Sequence, residues 1–334
     1  MWQMCTNCGT MYNRSNPEDP IEDSVTTKAM KRATANFSLK NCVGLGQNGE
    51  VFRGRLPDGT FVAVKRFKPN SADPRISIRV ELKVQHSISQ HTHPHVRQIL
   101  GVSFDPAQPL IIYEYLPRGS LRQHLQRRKG DHLLNDPIAR LNVAIDVAHA
   151  LIQLHYNSRF PIFHRDVKSS NILLDADYNA KLADMGIAVV VQSEADLDVA
   201  EPLGAFGYKC PVYEQSGRLD DKSDVYSFGV VLMELATFMT AWDTERTVTL
   251  LADLVIDRLQ RGVVKKLIQP GNAPGGAALM KSLLLVAADC CSLDLNVRPR
   301  IDEVADYLER LRDEASEEAA LAQHIESLGS LSLA

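Results

Sequence analysis

One polar segment near the middle of the chain constrains the fold and the chemistry more than any other feature. It reads HRDVKSSNILLD over residues 164–175, and KLADMG follows at residues 181–186. Both pieces place charged and amide side chains beside short apolar runs, which predicts a loop and a turn between short strands. A polar loop without any chemistry is the alternative interpretation, but it has to explain all of these polar positions at once.

The polar side chains of this segment match what phosphoryl transfer requires. The reaction needs a carboxylate directed at the acceptor hydroxyl, oxygen ligands for Mg²⁺ and a cation near the transferred phosphate. Asp166 suits the first role and Lys168 the third. Asn171 and Asp184 are predicted to bind Mg²⁺. The segment therefore predicts a site for phosphoryl transfer.

A glycine-rich stretch lies well before this segment. Gly44, Gly46 and Gly49, followed by Val51, let backbone N–H groups approach phosphate oxygens without a clash at Cβ. Such a pattern alone is weak, because it also occurs by chance or in dinucleotide-binding folds. Those folds require a helix after the glycines, whereas a β-rich run follows here. We therefore expect the stretch to bind nucleotide phosphates.

Lys65 stands in the alternating apolar run FVAVKRF at residues 61–67, where a buried charge is costly unless it is paired. An ordinary edge lysine that reaches solvent is the alternative. Read with the glycine-rich stretch, Lys65 suits contact with nucleotide phosphates, held by a carboxylate from a neighbouring helix. Glu81 is the best candidate, since no other carboxylate lies between Asp73 and Asp105.

Taken in order along the chain, these motifs resemble those of the protein kinases. The resemblance is strongest to the receptor-like kinase/Pelle family of plants, in its receptor-like cytoplasmic form. Within that family, the chain most resembles the wall-associated-kinase-like members. The resemblance covers about residues 33–312. The supporting text is ATANFS at 33–38, IIYEYLPRGSL at 111–121, HRDVKSSNILLD at 164–175 and DKSDVYSFGVVLMEL at 221–235.

The resemblance implies an α+β, two-lobed protein kinase fold. A small, mostly β N-lobe with one regulatory helix is expected over residues 37–116, and a larger, mostly α C-lobe over residues 117–312. Residues 1–36 are expected to form a flexible arm, and residues 313–334 a C-terminal tail. ATP would bind in the cleft between the lobes.

The resemblance also implies further contacts with ATP. Tyr113 is the expected gatekeeper, and the backbone of Glu114 and Leu116 is expected to bind adenine. Ala63 and Leu173 belong to the same implied set. Lys168 stands two residues after Asp166, and a lysine at that position resembles the Ser/Thr kinases. The expected function is therefore transfer of the ATP γ-phosphate to protein serine and threonine in intracellular signalling.

Three departures from the family pattern keep a rival function open, that of an ATP-binding pseudokinase acting as a scaffold or allosteric partner. Ala205 replaces a threonine that orients the catalytic aspartate in the family. Val212 replaces the glutamate that pairs with Arg298, and Glu214 is the candidate substitute. Gln85 stands where the family has an apolar residue near Glu81.

The segment from Asp184 to Pro211 is rich in carboxylates and contains one serine, Ser193. In relatives, a phosphate added to this segment often neutralises the arginine at position 165. We hypothesise that a carboxylate of the segment does so here. A solvated acidic loop is the alternative.

Charge and hydropathy indicate where such a chain works. The formal net charge is −4, with charges interspersed, so nucleic acid is not an expected partner. No run reaches the roughly 18 apolar residues of a membrane span, so we expect a cytoplasmic protein that acts with a membrane receptor complex. Cys5 and Cys8 are expected in an unstructured arm, and their acylation would add peripheral attachment to the plasma membrane.

Overall fold

The structure is a computed structural model. It describes residues 3–4, 11–12, 25–46, 49–68, 73–88, 93–127, 135–272 and 275–331, and for 3–4, 11–12, 319 and 321–331 it describes the backbone alone. The first two pieces are the two-residue strands β1 (Gln3–Met4) and β2 (Met11–Tyr12), which pair antiparallel. Cys5 and Cys8 lie outside the described residues.

A five-stranded antiparallel sheet forms the N-lobe. Its order is β3-β4-β5-β7-β6. The strands are β3 (Cys42–Leu45), β4 (Gly49–Arg55), β5 (Phe61–Phe67), β6 (Ile99–Ser103) and β7 (Leu110–Glu114). Helix α2 (Pro74–Ser87) lies between β5 and β6 and begins at Asp73, whose side chain accepts a hydrogen bond from the Arg75 N–H. This sheet and helix confirm the small, mostly β lobe.

The two faces of the sheet are covered by different elements. Alternate residues of a strand point to opposite faces, and β5 shows this clearly. Val62 and Val64 pack with Phe52 and Met30 on one face, whereas Ala63 and Phe67 pack with residues of α2 on the other. Lys65 shares the parity of Ala63 and Phe67, which directs its side chain toward α2.

Residues 25–36 correct the predicted extent of the flexible arm. Helix α1 (Thr27–Ala33) begins at Thr26, whose hydroxyl accepts from the Ala29 N–H. Met30 and Phe37 are buried, and the Phe37 ring stands edge-on to Phe52 at 5.3 Å between centroids. Because these side chains cover the outer face of the sheet, the segment belongs to the N-lobe.

The C-lobe is helical, as expected. Its helices are α3 (Leu121–Arg127), α4 (Pro137–His155), α5 (Pro211–Ser216), α6 (Asp221–Thr237), α7 (Leu251–Gln260), α8 (Gly276–Cys290) and α9 (Ile301–Leu331). Helix α4 begins at Asp136, which caps the Ile138 N–H, with Pro137 in the first turn. Helix α6 is buried on all sides from Ser223 to Thr237, which makes it the central helix of the lobe.

Two small sheets carry the loops at the junction of the lobes. One joins β8 (Gly119–Ser120), β10 (Ile172–Leu174) and β11 (Ala180–Leu182), and the other joins β9 (Ile162–Phe163) and β12 (Val189–Val190). Strands β9 and β12 flank the polar segment at 164–186, and β10 and β11 lie within it, which agrees with the loop and turn between short strands that its sequence predicts.

Helix α9 is the last element of the fold. Helix α9 continues to Leu331, so no break in secondary structure marks the expected start of a tail at residue 313. Across the part of the chain that the structure describes, none of the helices combines the length and apolar character needed to cross a bilayer.

Candidate active site

Lys65 lies between two carboxylates in the cleft. Its Nζ is 2.5 Å from Asp184 Oδ1 and 3.5 Å from Glu81 Oε1, and the residue is only 8% exposed. The interpretation as an edge lysine that reaches solvent is therefore wrong. Burial alone would lower the pKa of Lys65, but attraction to Asp184 and Glu81 outweighs it and raises that pKa. The structure thus brings Lys65 together with Glu81, the carboxylate predicted for it, and also with Asp184, which was predicted as a Mg²⁺ ligand.

Glu81 is held from a second side by Tyr113. The Tyr113 hydroxyl donates to Glu81 Oε2 at 2.8 Å, and the Arg97 guanidinium lies 4.1 Å from the centroid of the Tyr113 ring. Burial raises the pKa of Glu81, while attraction to Lys65 opposes that rise. Sequence reasoning did not identify Arg97, because it stands in the polar, histidine-rich stretch HTHPHVRQ at residues 91–98, where one more cation is not distinctive.

Gln85 supports the position of Glu81. Its side-chain oxygen accepts a hydrogen bond from the Ile99 N–H at 3.3 Å, where β6 shifts register between Ile99 and Gly101. A register shift leaves a strand amide without its ladder partner, and a buried unpaired amide is costly. A polar side chain is therefore suited to this position, and it joins α2 to the sheet one turn after Glu81.

The second half of the site is the loop that follows β9. Asp166 Oδ2 accepts from Lys168 Nζ at 2.6 Å and from Asn171 Nδ2 at 2.9 Å. Asn171 Nδ2 also donates to the Asp166 carbonyl at 2.9 Å. Two donors therefore fix the orientation of the Asp166 carboxylate, which is 13% exposed and remains open to the cleft.

Asn171 and Asp184 are the residues that would hold a metal ion. The Ala183 N–H donates to the Asn171 carbonyl at 2.8 Å, which ties the two residues together. The Asn171 amide nitrogen is engaged by Asp166, so the amide oxygen is the atom left to bind a metal. The Asp184 side chain is 43% exposed, and its second oxygen does not contact Lys65. Carboxylate and amide oxygens are the ligands that Mg²⁺ prefers, so this pair fits a hard divalent cation.

The charge and backbone of Asp184 fit the same role. Burial opposes its ionisation, but Lys65 attracts the carboxylate strongly enough to hold the pKa of Asp184 below its usual value. Its backbone is left-handed, with φ of 64°, and Arg165 shares this conformation with φ of 67°. Such backbone strain in residues other than glycine is concentrated at functional sites.

The residues expected around the nucleotide line both lobes. Gly46 N–H donates to Gly49 O at 2.8 Å, and a Cβ on Gly49 would lie 2.6 Å from the Arg66 carbonyl, so glycine is required there. The tip between them, residues 47 and 48, lies outside the described residues. Val51 packs against the apolar cluster that contains Ala63 and Tyr113.

The connection between the lobes contains Glu114 and Leu116, whose contact with adenine stays a prediction. The Glu114 N–H donates to the Gln98 carbonyl at 3.2 Å, and the Glu114 carbonyl accepts a long hydrogen bond of 3.4 Å from Arg97 Nη2. The Glu114 carboxylate binds Lys181 at 2.8 Å. Leu116 is buried at the end of this connection, and Leu173 lies in β10 of the opposite lobe.

Asp224 in helix α6 anchors the loop that follows β9, and sequence reasoning did not identify it. Its carboxylate accepts from the His164 N–H at 2.7 Å, the Arg165 N–H at 2.8 Å and His155 Nε2 at 3.0 Å. Burial opposes its ionisation, but His155 and the bonds it accepts hold the pKa of Asp224 below its usual value. An acidic residue inside an apolar helix was the signal available in the sequence.

Replacing Asp224 with asparagine is expected to lower the free energy of unfolding by about 2 kcal/mol at pH 7. A lowered pKa in the folded state stabilises the protein above the unfolded-state value of about 3.9, and this contribution is lost as the pH falls through the folded-state pKa. Urea unfolding at several pH values should therefore show the difference between Asp224→Asn and wild type shrinking below about pH 4. A difference that stays constant with pH would contradict this assignment.

Arg298 lies fully buried without the carboxylate expected for it. Its guanidinium donates to the Ser292 carbonyl at 2.9 Å, the Lys222 carbonyl at 2.7 Å and Cys210 Sγ at 3.2 Å. The candidate substitute, Glu214, instead binds Lys209 at 2.6 Å. The suggested pairing of Glu214 with Arg298 was therefore wrong, since Glu214 points toward solvent and is 54% exposed.

Arg165 also binds other partners than those hypothesised. Its guanidinium donates to the Tyr213 hydroxyl at 3.0 Å and to the main-chain carbonyls of Ile187 and Glu201, each at 3.2 Å. The acidic side chains of this segment bind other groups. Glu194 and Asp198 bind Arg218, and the Asp196 carboxylate accepts a hydrogen bond from the Ser193 N–H. The hypothesis that a carboxylate of the segment neutralises the arginine was wrong, because uncharged oxygens occupy its donors.

Comparisons with known proteins agree with this geometry. Residues 37–307 match the family described as "Protein kinase domain". Wall-associated receptor kinase-like 14 of Arabidopsis thaliana is 38% identical over 291 residues, which cover 85% of this chain and 40% of that protein. Wall-associated receptor kinase-like 21 of the same plant is 38% identical over 296 residues, with 86% and 47% covered.

A third relative is a shorter protein. Calmodulin-binding receptor-like cytoplasmic kinase 1 of Arabidopsis thaliana is 33% identical over 324 residues, which cover 92% of this chain and 68% of that protein. The chain spans less than half the length of the two wall-associated receptor kinase-like relatives. With the matched family and the site geometry, these similarities show that the chain belongs to the protein kinase family, within its receptor-like kinase/Pelle group.

Proposed function

We propose that the chain is an ATP-dependent protein serine/threonine kinase that uses Mg²⁺. The observation that carries this proposal is the Asp166 carboxylate, which Lys168 and Asn171 hold in one orientation at the edge of the cleft. A fixed carboxylate that is still partly accessible suits the acceptor hydroxyl, because phosphoryl transfer depends mainly on positioning and on stabilisation of charge.

Each residue of the cleft would have a separate role in phosphate transfer. Lys65, kept charged by Asp184 and Glu81, would bind nucleotide phosphates. Asn171 and Asp184 would hold Mg²⁺, which neutralises charge on the phosphate oxygens when it is bound. Lys168 lies beside Asp166 and offsets charge at the transferred group. Asp166 accepts the proton or hydrogen bond of the incoming hydroxyl.

The acceptor class can be tested directly. Purified protein incubated with γ-labelled ATP and Mg²⁺ should label a generic protein substrate on serine and threonine, as shown by acid hydrolysis and separation of the phosphoamino acids. Lys168, two residues after the catalytic aspartate, is the basis for this expectation. Label found on tyrosine alone would contradict the proposed specificity.

The cellular setting follows from the relatives, as a further part of the proposal. Two of them carry "receptor kinase-like" in their names and one "receptor-like cytoplasmic kinase". We infer that the chain acts in the cytoplasm, in signalling from a membrane receptor complex. Acylation of Cys5 and Cys8 would add contact with the plasma membrane. Co-purification with a receptor kinase and fractionation of Cys5→Ser and Cys8→Ser variants test these inferences.

A scaffold that binds ATP without transferring phosphate is the second candidate function. Two observations favour it: Ala205 provides no hydroxyl for Asp166, and Arg298 lacks a carboxylate among the contacts that the structure shows for it. The intact arrangement of Lys65, Asp166 and Asp184 favours catalysis instead.

Replacing Ala205 with threonine should raise kcat. The new hydroxyl would add one hydrogen bond near Asp166, worth about 0.5 to 1.5 kcal/mol, which corresponds to an increase of up to about tenfold. Steady-state phosphorylation of a fixed peptide measures this change. Ala107→Thr, at an exposed turn of the N-lobe, is the matched control. An unchanged kcat would show that Lys168 and Asn171 alone suffice to orient Asp166.

A further inference from the structure

Arg97 is a partly buried cation next to the residues that hold Lys65. Its guanidinium faces the Tyr113 ring, with Cζ 4.1 Å from the ring centroid, and Nη2 donates to the Glu114 carbonyl at a long 3.4 Å. Among the described residues, none accepts a hydrogen bond from Arg97 Nε, which is buried. The contact between cation and ring, which strengthens as water is excluded, therefore accounts for the position of this guanidinium better than hydrogen bonding does.

The main chain of Arg97 is fixed where the two lobes meet. Its N–H donates to the Leu182 carbonyl at 2.9 Å, and Leu182 ends β11, two residues before Asp184. The side chain lies on Tyr113, which belongs to β7 of the N-lobe sheet. Arg97 therefore joins the strand that precedes Asp184 to the sheet that carries Lys65.

The hydroxyl end of the Tyr113 side chain reaches Glu81. The hydroxyl donates to Glu81 Oε2 at 2.8 Å, while Glu81 Oε1 lies 3.5 Å from Lys65 Nζ. Glu81 is only 2% exposed, so water cannot easily replace either partner. In such a buried network each polar group is oriented by its neighbours. Arg97 fixes the ring, and the ring hydroxyl fixes one oxygen of Glu81.

Arg97 also balances the buried charge of this region. Glu81 and Asp184 are two carboxylates, and the single charge of Lys65 cannot neutralise both. An arginine stays charged at pH 7. Burial raises the pKa of Glu81, and attraction to Arg97 is one of the influences that oppose this rise. The Glu114 carboxylate already binds a lysine of β11, which leaves the charge of Arg97 to the other two carboxylates.

We propose that Arg97 is a positioning residue that fixes Glu81 by way of the Tyr113 ring. This inference rests on the proposed kinase function, in which Lys65 binds the ATP phosphates. While the ring is held, Glu81 keeps its second oxygen on Lys65. Without Arg97 the ring gains freedom and Glu81 loses a nearby positive charge, so Lys65 is placed less precisely for the phosphates.

Steady-state phosphorylation of a generic protein substrate by the full chain tests the proposal. Arg97→Met removes the charge but keeps a long side chain. It should raise the KM for ATP about tenfold, the scale of one hydrogen bond, and leave the KM for the protein substrate unchanged. The rise in melting temperature that ATP causes should shrink in the same variant. Arg97→Lys keeps the charge, so its KM for ATP should stay close to that of wild type.

Tyr113→Phe removes the hydroxyl through which Arg97 is proposed to act. In this background Arg97→Met should change the KM for ATP much less than it does in wild type, because residues of one contact network are not additive. Arg118→Met is the matched control. Arg118 also lies over a tyrosine ring, with Cζ 4.5 Å from the centroid of Tyr178, but it is exposed in the C-lobe. Its kinetics should equal those of wild type.

Three results would overturn the inference and leave the proposed function intact. They are an unchanged KM for ATP in Arg97→Met, a rise of the same size in Arg97→Lys, and effects of Arg97→Met and Tyr113→Phe that simply multiply. No phosphorylation by wild type would overturn both. If Arg97→Met does not fold, Arg97→Gln takes its place, since glutamine removes the charge and keeps a donor for the Glu114 carbonyl.

Discussion

Replacing Asp184 with asparagine is expected to reduce phosphate transfer at least about 100-fold, the scale seen when one group that stabilises transition-state charge is removed. The change keeps the size of the side chain but removes the charge that pairs with Lys65 and attracts a metal ion. Lys65 Nζ and Asp184 Oδ1 lie 2.5 Å apart, so each charge is stabilised by the other. Glu81 would remain to pair with Lys65.

Initial rates of labelled phosphate transfer at saturating Mg²⁺ and ATP measure the effect. Asp177→Asn, at an exposed turn after β10, is the matched control because it makes the same chemical change away from the cleft. Its rate should equal that of wild type. A rate for Asp184→Asn within threefold of wild type would contradict the role given to Asp184.

Replacing Arg298 with methionine is expected to lower the free energy of unfolding by about 2 to 6 kcal/mol, because two carbonyl groups lose their donors. Methionine fills a similar length with apolar atoms but donates no hydrogen bonds. The carbonyls of Ser292 and Lys222 would then be left buried without these donors, and each such group costs about 1 to 3 kcal/mol. The Arg298 guanidinium also lies 5.3 Å from the centroid of the Tyr226 ring, a contact that methionine loses.

The midpoint of urea unfolding, compared at a constant slope, measures this loss. Arg300→Met is the matched control: Arg300 stands two residues away but is exposed and binds the exposed Asp302. Its midpoint should stay close to that of wild type. An Arg298→Met midpoint equal to the control would show that the neutral partners of Arg298 contribute no stability.

Residues with local chemical roles could be predicted from the sequence. The residues predicted for the site come together because they stand in short loops at fixed distances from strands, as with Asp166, Lys168 and Asn171. Helix α4 begins where a capping Asp136 followed by Pro137 predicts it. Glu81 could be paired with Lys65 by elimination, because its stretch contains no other carboxylate.

Contacts between segments far apart in the chain could not be predicted. Arg298 and Arg165 donate to main-chain carbonyl oxygens instead of carboxylates. Because every residue has a main-chain carbonyl, such partners leave no pattern in the sequence. Gln85 is compatible with the site only because β6 shifts register at Ile99, a feature of backbone pairing. Helix α1 was missed since its seven residues are mostly polar and bury one side chain, Met30.

The most direct test separates nucleotide binding from phosphate transfer in one preparation. Melting temperature with and without Mg²⁺ and ATP reports binding, and incorporation of label from γ-labelled ATP reports transfer, with Lys65→Met and Asp184→Asn as controls. A kinase should show both stabilisation and transfer in wild type, and transfer should be lost in both variants. Stabilisation by ATP with no transfer above the variants would contradict the proposed activity and make the chain an ATP-binding scaffold.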